Sequence, residues 1–182
     1  MKLLVLFTIF ISSCGKIAAV SPISVSKVAP ITCREYQGYN YNTLVDFTQI
    51  TPSGYLILNS LNFSSTINPL QPESTFQQNF ALSCTTTLHI PYTTTYTIQL
   101  NADNGARVFL NEVKILDGGN SNTILQQSVN EYLIQGPYQL QVDFFNAGGP
   151  YQLEFQWSYN GQPVMLIPDD NLTPSNSNQM IE

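Results

Sequence analysis

The chain has 182 residues, of which only 10% are charged, and a formal net charge of −6 at neutral pH. A domain of this size can bury a substantial core. The acidic balance and the six Lys and Arg residues argue against binding to nucleic acid or electrostatic attachment to anionic lipid, both of which need clustered positive charge.

The N-terminal residues have the organisation of an export signal. A short basic end precedes an apolar run over residues 3–11, which is too short to span a bilayer. The following ISSC stretch resembles the bacterial lipoprotein box, so we predict that residues 1–13 are a signal peptide and that Cys14 carries the lipid. An ordinary secretory signal cut after Ala19 is the alternative. Gly15 is not the aspartate associated with inner-membrane retention, which favours the outer membrane or cell surface.

The next segment, residues 14–32, contains two prolines and no periodicity, which is typical of a tether or N-terminal arm. We expect the globular domain to occupy residues 33–174 and residues 175–182 to form a loose tail. With Cys14 lipidated, Cys33 and Cys84 remain as an even pair in an oxidising compartment, which predicts a disulfide. Two buried free thiols are the alternative, because the sequence does not show whether the Cα atoms approach closely enough.

The central part of the chain alternates apolar and polar residues as half-buried strands do. Strands are predicted over residues 54–59, 80–90 and 96–100. Asp103-Asn104-Gly105 then forms a polar turn, residues 107–110 resume the extended pattern, and Asn111-Glu112 makes a second reversal. The first of these turns is either an ordinary hairpin or a site for a ligand or cation.

The most regular alternation lies near the C-terminus. The segments YQLQVDFF, from Tyr138, and YQLEFQWS, from Tyr151, are near-copies, which predicts a hairpin whose two apolar faces share one core. Trp157 is expected in that core rather than on a sugar-binding surface. No stretch of eleven or more residues has helical spacing, so the predicted fold is all-β, with two packed antiparallel sheets and almost no helix.

The sequence offers little for catalysis. His89 is the only histidine, and its place in an alternating strand favours a surface or edge position over a catalytic triad. No Cys/His spacing suits zinc, and no glycine-rich loop precedes a helix to hold phosphate. We therefore expect a protein that is not an enzyme.

The segment YTIQLNADNGARVFLNE, from Tyr96, resembles the central signature of the PA14 domain, with a strand, an acidic turn and an Arg-containing strand. The two later near-copies and the prolines Pro168 and Pro174 follow in the same order. The resemblance implies a β-sandwich often used to bind glycans. It further implies that adjacent aspartates in the turn, joined by a cis peptide, hold a calcium ion that also coordinates sugar hydroxyls. Here the pair is Asp103 and Asn104, so one negative charge is lost and weaker calcium binding is expected.

Other oxygen donors and aromatic rings would be needed to complete such a site. Asn146, Asp117 and Asn120 are candidate partners of the turn, and Tyr92 and Tyr151 are candidates for stacking on a sugar ring. Two functions are compatible with these features. One is a surface lipoprotein that recognises carbohydrate through loops at one end of the sandwich, with calcium as a candidate cofactor. The other is a structural or assembly lipoprotein that binds other proteins.

Overall fold

The computed structural model describes residues 29–39, 43–70, 79–118 and 125–175. Its strands, in chain order, are β1 Ile31–Gln37, β2 Gly54–Leu58, β3 Asn62–Ser64, β4 Phe80–Ile90, β5 Thr94–Asp103, β6 Gly105–Leu110, β7 Val113–Gly118, β8 Leu125–Leu133, β9 Gly136–Asn146, β10 Gln152–Tyr159, β11 Met165–Leu166 and β12 Leu172–Thr173. Helical structure in these ranges is limited to 3₁₀ turns at Phe47–Gln49 and Asp169–Asn171. No helix in them is long and apolar enough to cross a membrane.

The strands form two antiparallel sheets, which confirms the predicted fold class. The larger, seven-stranded sheet has the order β2-β1-β4-β9-β6-β7, with β12 also paired to β4. The smaller, five-stranded sheet has the order β11-β10-β5-β8, with β3 also paired to β10. Because side chains alternate along a strand, each sheet presents one apolar face to its partner and one polar face outward.

The inner faces meet in one large core. Trp157, Phe80 and Phe144 are almost completely buried there, as the alternating pattern of their strands requires. The ring centroids of Trp157 and Tyr96 are 5.4 Å apart, and those of Phe80 and Tyr151, which pack edge-to-face, are 5.3 Å apart. Burying each of these side chains stabilises the fold by about 1.5–3 kcal/mol. The prediction that Trp157 belongs to the core is confirmed.

The predicted hairpin between the two near-copies is wrong. Strands β9 and β10 lie in different sheets: β9 pairs with β4 and β6, whereas β10 pairs with β5, β3 and β11. Strands β5 and β6 are divided between the sheets in the same way, so the Asp103-Asn104 turn is a crossover rather than a hairpin. The alternation of apolar and polar residues shows which face of a strand is buried. It does not distinguish a hairpin within one sheet from a crossover between sheets, because both arrangements bury the same face. The reversal at Asn111 and Glu112, by contrast, joins the paired strands β6 and β7, with positive φ at both residues.

The N-terminal edge of the domain is held by a covalent bond. Cys33 and Cys84 are direct partners on β1 and β4 and form a disulfide, which confirms the predicted pairing. Strand β1 begins at Ile31, so the last two residues of the predicted N-terminal arm belong to the sheet. The predicted signal peptide and the lipid-attachment residue Cys14 lie outside the described residues.

A smaller cluster lies on the outer face of the larger sheet. Residues 43–50 fold back over that face, and Phe47 stacks on Tyr36 with ring centroids 4.6 Å apart. Phe145 and Ala81 complete the floor beneath them. This segment is therefore packed against the sheet and forms one wall of a groove described below.

Candidate ligand-binding site at the Asp103 end

Several connections gather at one end of the sandwich, which we call the Asp103 end. The register pairs Gln37 with Phe80, Phe80 with Asn146, and Phe145 with Gly105, so the ends of four strands of the larger sheet lie side by side there. In the smaller sheet, Asp103 pairs with Gln152. The turn between β5 and β6 and the loop between β9 and β10 are therefore neighbours.

The turn at this end has a tightly defined backbone. The peptide bond between Asp103 and Asn104 is cis, the arrangement that the resemblance implied. The Asn104 N–H donates to the Phe145 carbonyl at 3.2 Å, and its side-chain Oδ1 accepts the Ala147 N–H at 2.7 Å. A Cβ atom at Gly105 would lie 2.5 Å from the Phe145 ring and 2.8 Å from the Gly118 carbonyl. Glycine is thus required next to the turn because the backbone passes so close to its neighbours.

Asp103 is the distinctive group of the turn. Its side chain is partly buried, and no side chain or backbone N–H of the described residues donates a hydrogen bond to its carboxylate. Burial without a compensating donor raises the pKa of this carboxyl above its ordinary value. Asp103 also lines a cavity of about 310 Å³ between β3, β5 and β10. A charged, poorly solvated carboxylate beside a cavity is a suitable group for a cation or a hydrogen-bond donor of a ligand.

Sequence reasoning missed a second carboxylate in this cavity. Glu154 lies two residues along β10 from the partner of Asp103 and accepts a hydrogen bond from Asn101 Nδ2 at 2.8 Å. Asn62 and Ser64 of β3 line the same cavity. Glu154 is the only charged residue in the segment YQLEFQWS, and this isolated charge is the sequence feature that could have identified it.

Two of the predicted ligand-binding residues lie at the Asp103 end, but their polar groups form hydrogen bonds within the protein and stabilise the fold. Asn146 is completely buried, and its carboxamide accepts the Gly148 N–H at 3.0 Å and donates to the Gly149 carbonyl at 3.2 Å. Tyr151 lines the Asp103 cavity but is only 6% exposed, and its hydroxyl accepts the Leu70 N–H at 3.1 Å. Its ring packs against aromatic neighbours, so it offers little surface for a sugar to stack on.

Two further predicted residues, Tyr92 and Asp117, do not line the Asp103 cavity. Tyr92 precedes β5, whereas Asp103 ends it, and a ten-residue strand spans about 30 Å. Tyr92 packs near Tyr159 at the opposite end, so the prediction that it shares a site with Asp103 is corrected. Asp117 pairs with Lys114 and lines a separate cavity of about 590 Å³. Asn120 lies outside the described residues.

The donors at the turn fit a calcium ion only in part. The described residues contain no group of three or more His, Cys, Asp or Glu side chains placed to hold a metal. Calcium accepts six to eight oxygen ligands, including amide and backbone carbonyls. The Asp103 carboxylate has no hydrogen-bond donor in the described chain, and Asn104 Oδ1 has a second lone pair beyond the one used by Ala147. The turn therefore offers the Asp103 carboxylate and the Asn104 amide oxygen as candidate ligands, although Asn104 is buried and does not line the Asp103 cavity. The other ligands would have to come from backbone, water or the ligand itself.

The comparisons with known proteins assign this sandwich to one family. The PA14 domain profile matches residues 66–171, more than half of the chain. The chain therefore belongs to the PA14 domain family. No curated protein sequence matches the chain.

Solved structures share the fold. An anti-sigma factor domain-containing protein has a TM-score of 0.65 and 24% identity, over 85% of this chain and 50% of its own. The chain thus spans half the length of that relative. The PA14 sugar-binding domain of an RTX adhesin has a TM-score of 0.63 and 15% identity, covering 81% of this chain and 99% of that domain. The epithelial adhesin 6 A domain of Candida glabrata, solved with Galβ1-3GlcNAc, has a TM-score of 0.58 and 14% identity, covering 87% and 92%.

Proposed function

We propose that this protein is an exported, lipid-anchored and non-enzymatic binding module that recognises carbohydrate at the Asp103 end, with calcium as the cofactor. The observation that carries the proposal is the Asp103 carboxylate, which is partly buried, lacks a hydrogen-bond donor in the described chain, and faces a cavity of about 310 Å³. Family membership supports it, as do the sugar-binding relatives. The disulfide supports export, because such bonds persist in oxidising compartments.

Asp103 and Asn104 would hold the calcium ion through their side-chain oxygens. A bound calcium ion would supply positive charge and open coordination positions for vicinal sugar hydroxyls. The chain's own contribution is positional: the Asn104 bonds to Phe145 and Ala147 fix the turn against β9 and the following loop. Glu154 and the polar groups of β3 would then accept and donate hydrogen bonds to the sugar.

Thermal unfolding with calcium or with EDTA tests the metal site. A ligand present at a hundredfold excess over its dissociation constant stabilises the native state by about 2.7 kcal/mol, which raises the melting temperature by roughly 5–10 °C in a domain of this size. We expect this rise in the wild type and its loss in Asp103→Asn. The matched control is Asp169→Asn, which removes an exposed carboxylate in the turn next to β12, towards the opposite end. Identical curves with and without 10 mM calcium would refute the calcium proposal.

Glycan arrays test the recognition itself. Arrays that include Galβ1-3GlcNAc and Galβ1-4GlcNAc, the sugars in two of the related adhesin complexes, should give calcium-dependent signals that Asp103→Asn abolishes and Asp169→Asn retains. The absence of any calcium-dependent signal would refute carbohydrate recognition at this end.

Lipid attachment is tested separately. Incorporation of labelled palmitate should depend on Cys14 and disappear in Cys14→Ser, while the melting temperature stays unchanged because the domain disulfide uses Cys33 and Cys84. Retention of the label in Cys14→Ser would contradict the assignment.

A protein-binding role has one specific observation in its favour. At the opposite end of the sandwich, Tyr92, Tyr132 and Ile134 are each more than half exposed. Their loops are adjacent, because the Gln135 N–H donates to Thr93 Oγ1 at 2.9 Å. Exposed apolar groups of this kind are typical of contact surfaces. Stable association of wild-type protein that Tyr132→Ser disrupts, without any glycan binding, would favour this second function.

A further inference from the structure

A second cavity lies on the outer face of the larger sheet, away from the Asp103 turn. It encloses about 360 Å³, within the range of small-molecule sites. Its lining comes from four adjacent strands and two loops. We call it the outer groove; it is lined by Thr32, Arg34, Asp46, Phe47, Thr48, Ser83, Thr85, Arg107, Phe109, Glu112, Gln139, Gln141 and Asp143.

Arg107 is held rigidly at one side of the groove. Its Nε donates to Asp143 Oδ2 at 2.8 Å, and a terminal nitrogen donates to the Val45 carbonyl at 2.6 Å. The guanidinium carbon lies 5.7 Å from the Phe47 ring centroid and 5.5 Å from that of Phe109. A planar group fixed by an ion pair, a carbonyl and two rings loses little conformational entropy when it binds a ligand.

The floor of the groove is an organised polar network. Asp143 is only 1% exposed although it belongs to the solvent side of the sheet. Its Oδ1 accepts Gln141 Nε2 at 2.9 Å, and the same nitrogen lies 3.4 Å from Ser83 Oγ. A buried carboxylate needs hydrogen-bond donors, and here Arg107 and Gln141 each donate to one oxygen of Asp143. The result is a preorganised set of amide, hydroxyl and guanidinium groups.

The chemistry of the lining selects one class of ligand. Two arginines face three carboxylates, so positive charge is not in excess and an anionic ligand is not favoured. Hydroxyls and carboxamides supply donors and acceptors together, which is what vicinal hydroxyl groups require. Phe109, partly exposed on β6, supplies an apolar ring for a C–H face.

We propose that the outer groove is a second saccharide site, which binds a neutral sugar residue without calcium. The groove shares no lining residue with the Asp103 cavity, and the two cavities lie on different sheets. Two independent sites on one domain would let it engage a branched or repeating glycan at two points and raise its avidity without new contacts at either site.

The test blocks the groove without touching the Arg107 ion pair. Thr85 lies on the floor, at the centre of β4, and Thr85→Tyr would fill the cavity with a ring. The matched control is Thr97→Tyr, which adds the same ring at a half-buried position on the outer face of the smaller sheet. Each variant and Asp103→Asn would be applied to an array of neutral and acidic glycans in EDTA.

We expect at least one neutral glycan to bind in EDTA to the wild type, Asp103→Asn and Thr97→Tyr, and to bind at least tenfold more weakly to Thr85→Tyr. Titration of that glycan into ¹⁵N-labelled wild-type protein should shift the amide signals of Thr85, Gln141 and Phe109, a result independent of any variant. Absence of neutral-glycan binding in EDTA, binding of acidic glycans alone, or amide shifts outside the groove would overturn the proposal. Calcium-dependent binding that is lost only in Asp103→Asn would instead report on the site at the Asp103 end. The experiments can therefore refute either proposal without refuting the other.

Discussion

Arg107 gives the sharpest test of how the larger sheet is held together. Replacing it by Met keeps the length of the side chain but removes the ion pair with Asp143 and the bond to the Val45 carbonyl. Asp143 is then left as a buried charge without its ion-pair partner Arg107. Breaking a buried pair in this way costs about 3–5 kcal/mol, which corresponds to a fall of roughly 10 °C or more in melting temperature.

The matched control is Lys114→Met, which breaks the pair with Asp117. Both of those side chains are about half exposed, so this loss should cost less than about 1 kcal/mol. The double variant Arg107→Met/Asp143→Leu should recover most of the lost stability, because apolar groups commonly replace a buried pair at little cost. Chemical and thermal denaturation measure all three. An Arg107→Met variant as stable as Lys114→Met would refute the account. Limited proteolysis within residues 43–50 should also accelerate in Arg107→Met, because one of the bonds that hold this segment to the sheet is lost.

Three further results are expected. Gly105→Ala should lose about 1–3 kcal/mol of stability through overpacking, whereas Gly54→Ala, whose new Cβ would meet only a flexible side chain at 3.4 Å, should lose much less; equal losses would contradict the steric argument. Reducing the bond between Cys33 and Cys84, which are separated by 51 positions in the sequence, should destabilise the domain by about 4 kcal/mol in denaturant titrations; an unchanged denaturation midpoint would contradict this contribution of the disulfide. Hydrogen bonds from Thr48 lower the pKa of Asp46, so its stabilising effect is present near neutral pH and disappears as pH falls below about 4. The stability difference between wild type and Asp46→Ala should therefore shrink in acid, and a constant difference would be inconsistent with this origin.

The sequence was sufficient to predict the long strands β4, β5, β9 and β10 and much of the core, whereas the nine-residue strand β8 was not predicted. Alternation identified the buried faces of β4, β9 and β10, and cysteine counting identified the disulfide. Sheet membership was not predictable in the same way. A hairpin and a crossover between sheets bury the same residues, so YQLQVDFF and YQLEFQWS were wrongly paired.

Only the part of the candidate site that is formed by residues adjacent in the sequence could be predicted. The Asp103-Asn104 turn was identified from adjacent residues, whereas Arg107 and Asp143 meet through the pairing of β6 with β9 and carry no local signal. Tyr92 could have been excluded from the sequence alone. It precedes the strand that Asp103 ends, and the two ends of an extended strand cannot share a small site.

The position of the disulfide determines how the domain responds to a pulling force. Strand β1 lies antiparallel to β4, and its third residue, Cys33, is bonded to Cys84. Tension applied to the chain from its N-terminal side would load the pairing of β1 from Ile31 onward. Only Ile31 and Thr32 can peel away before the load reaches a covalent bond and passes directly into the central strand of the larger sheet. While the disulfide is intact, force from that side therefore cannot strip β1 from β4 beyond Thr32.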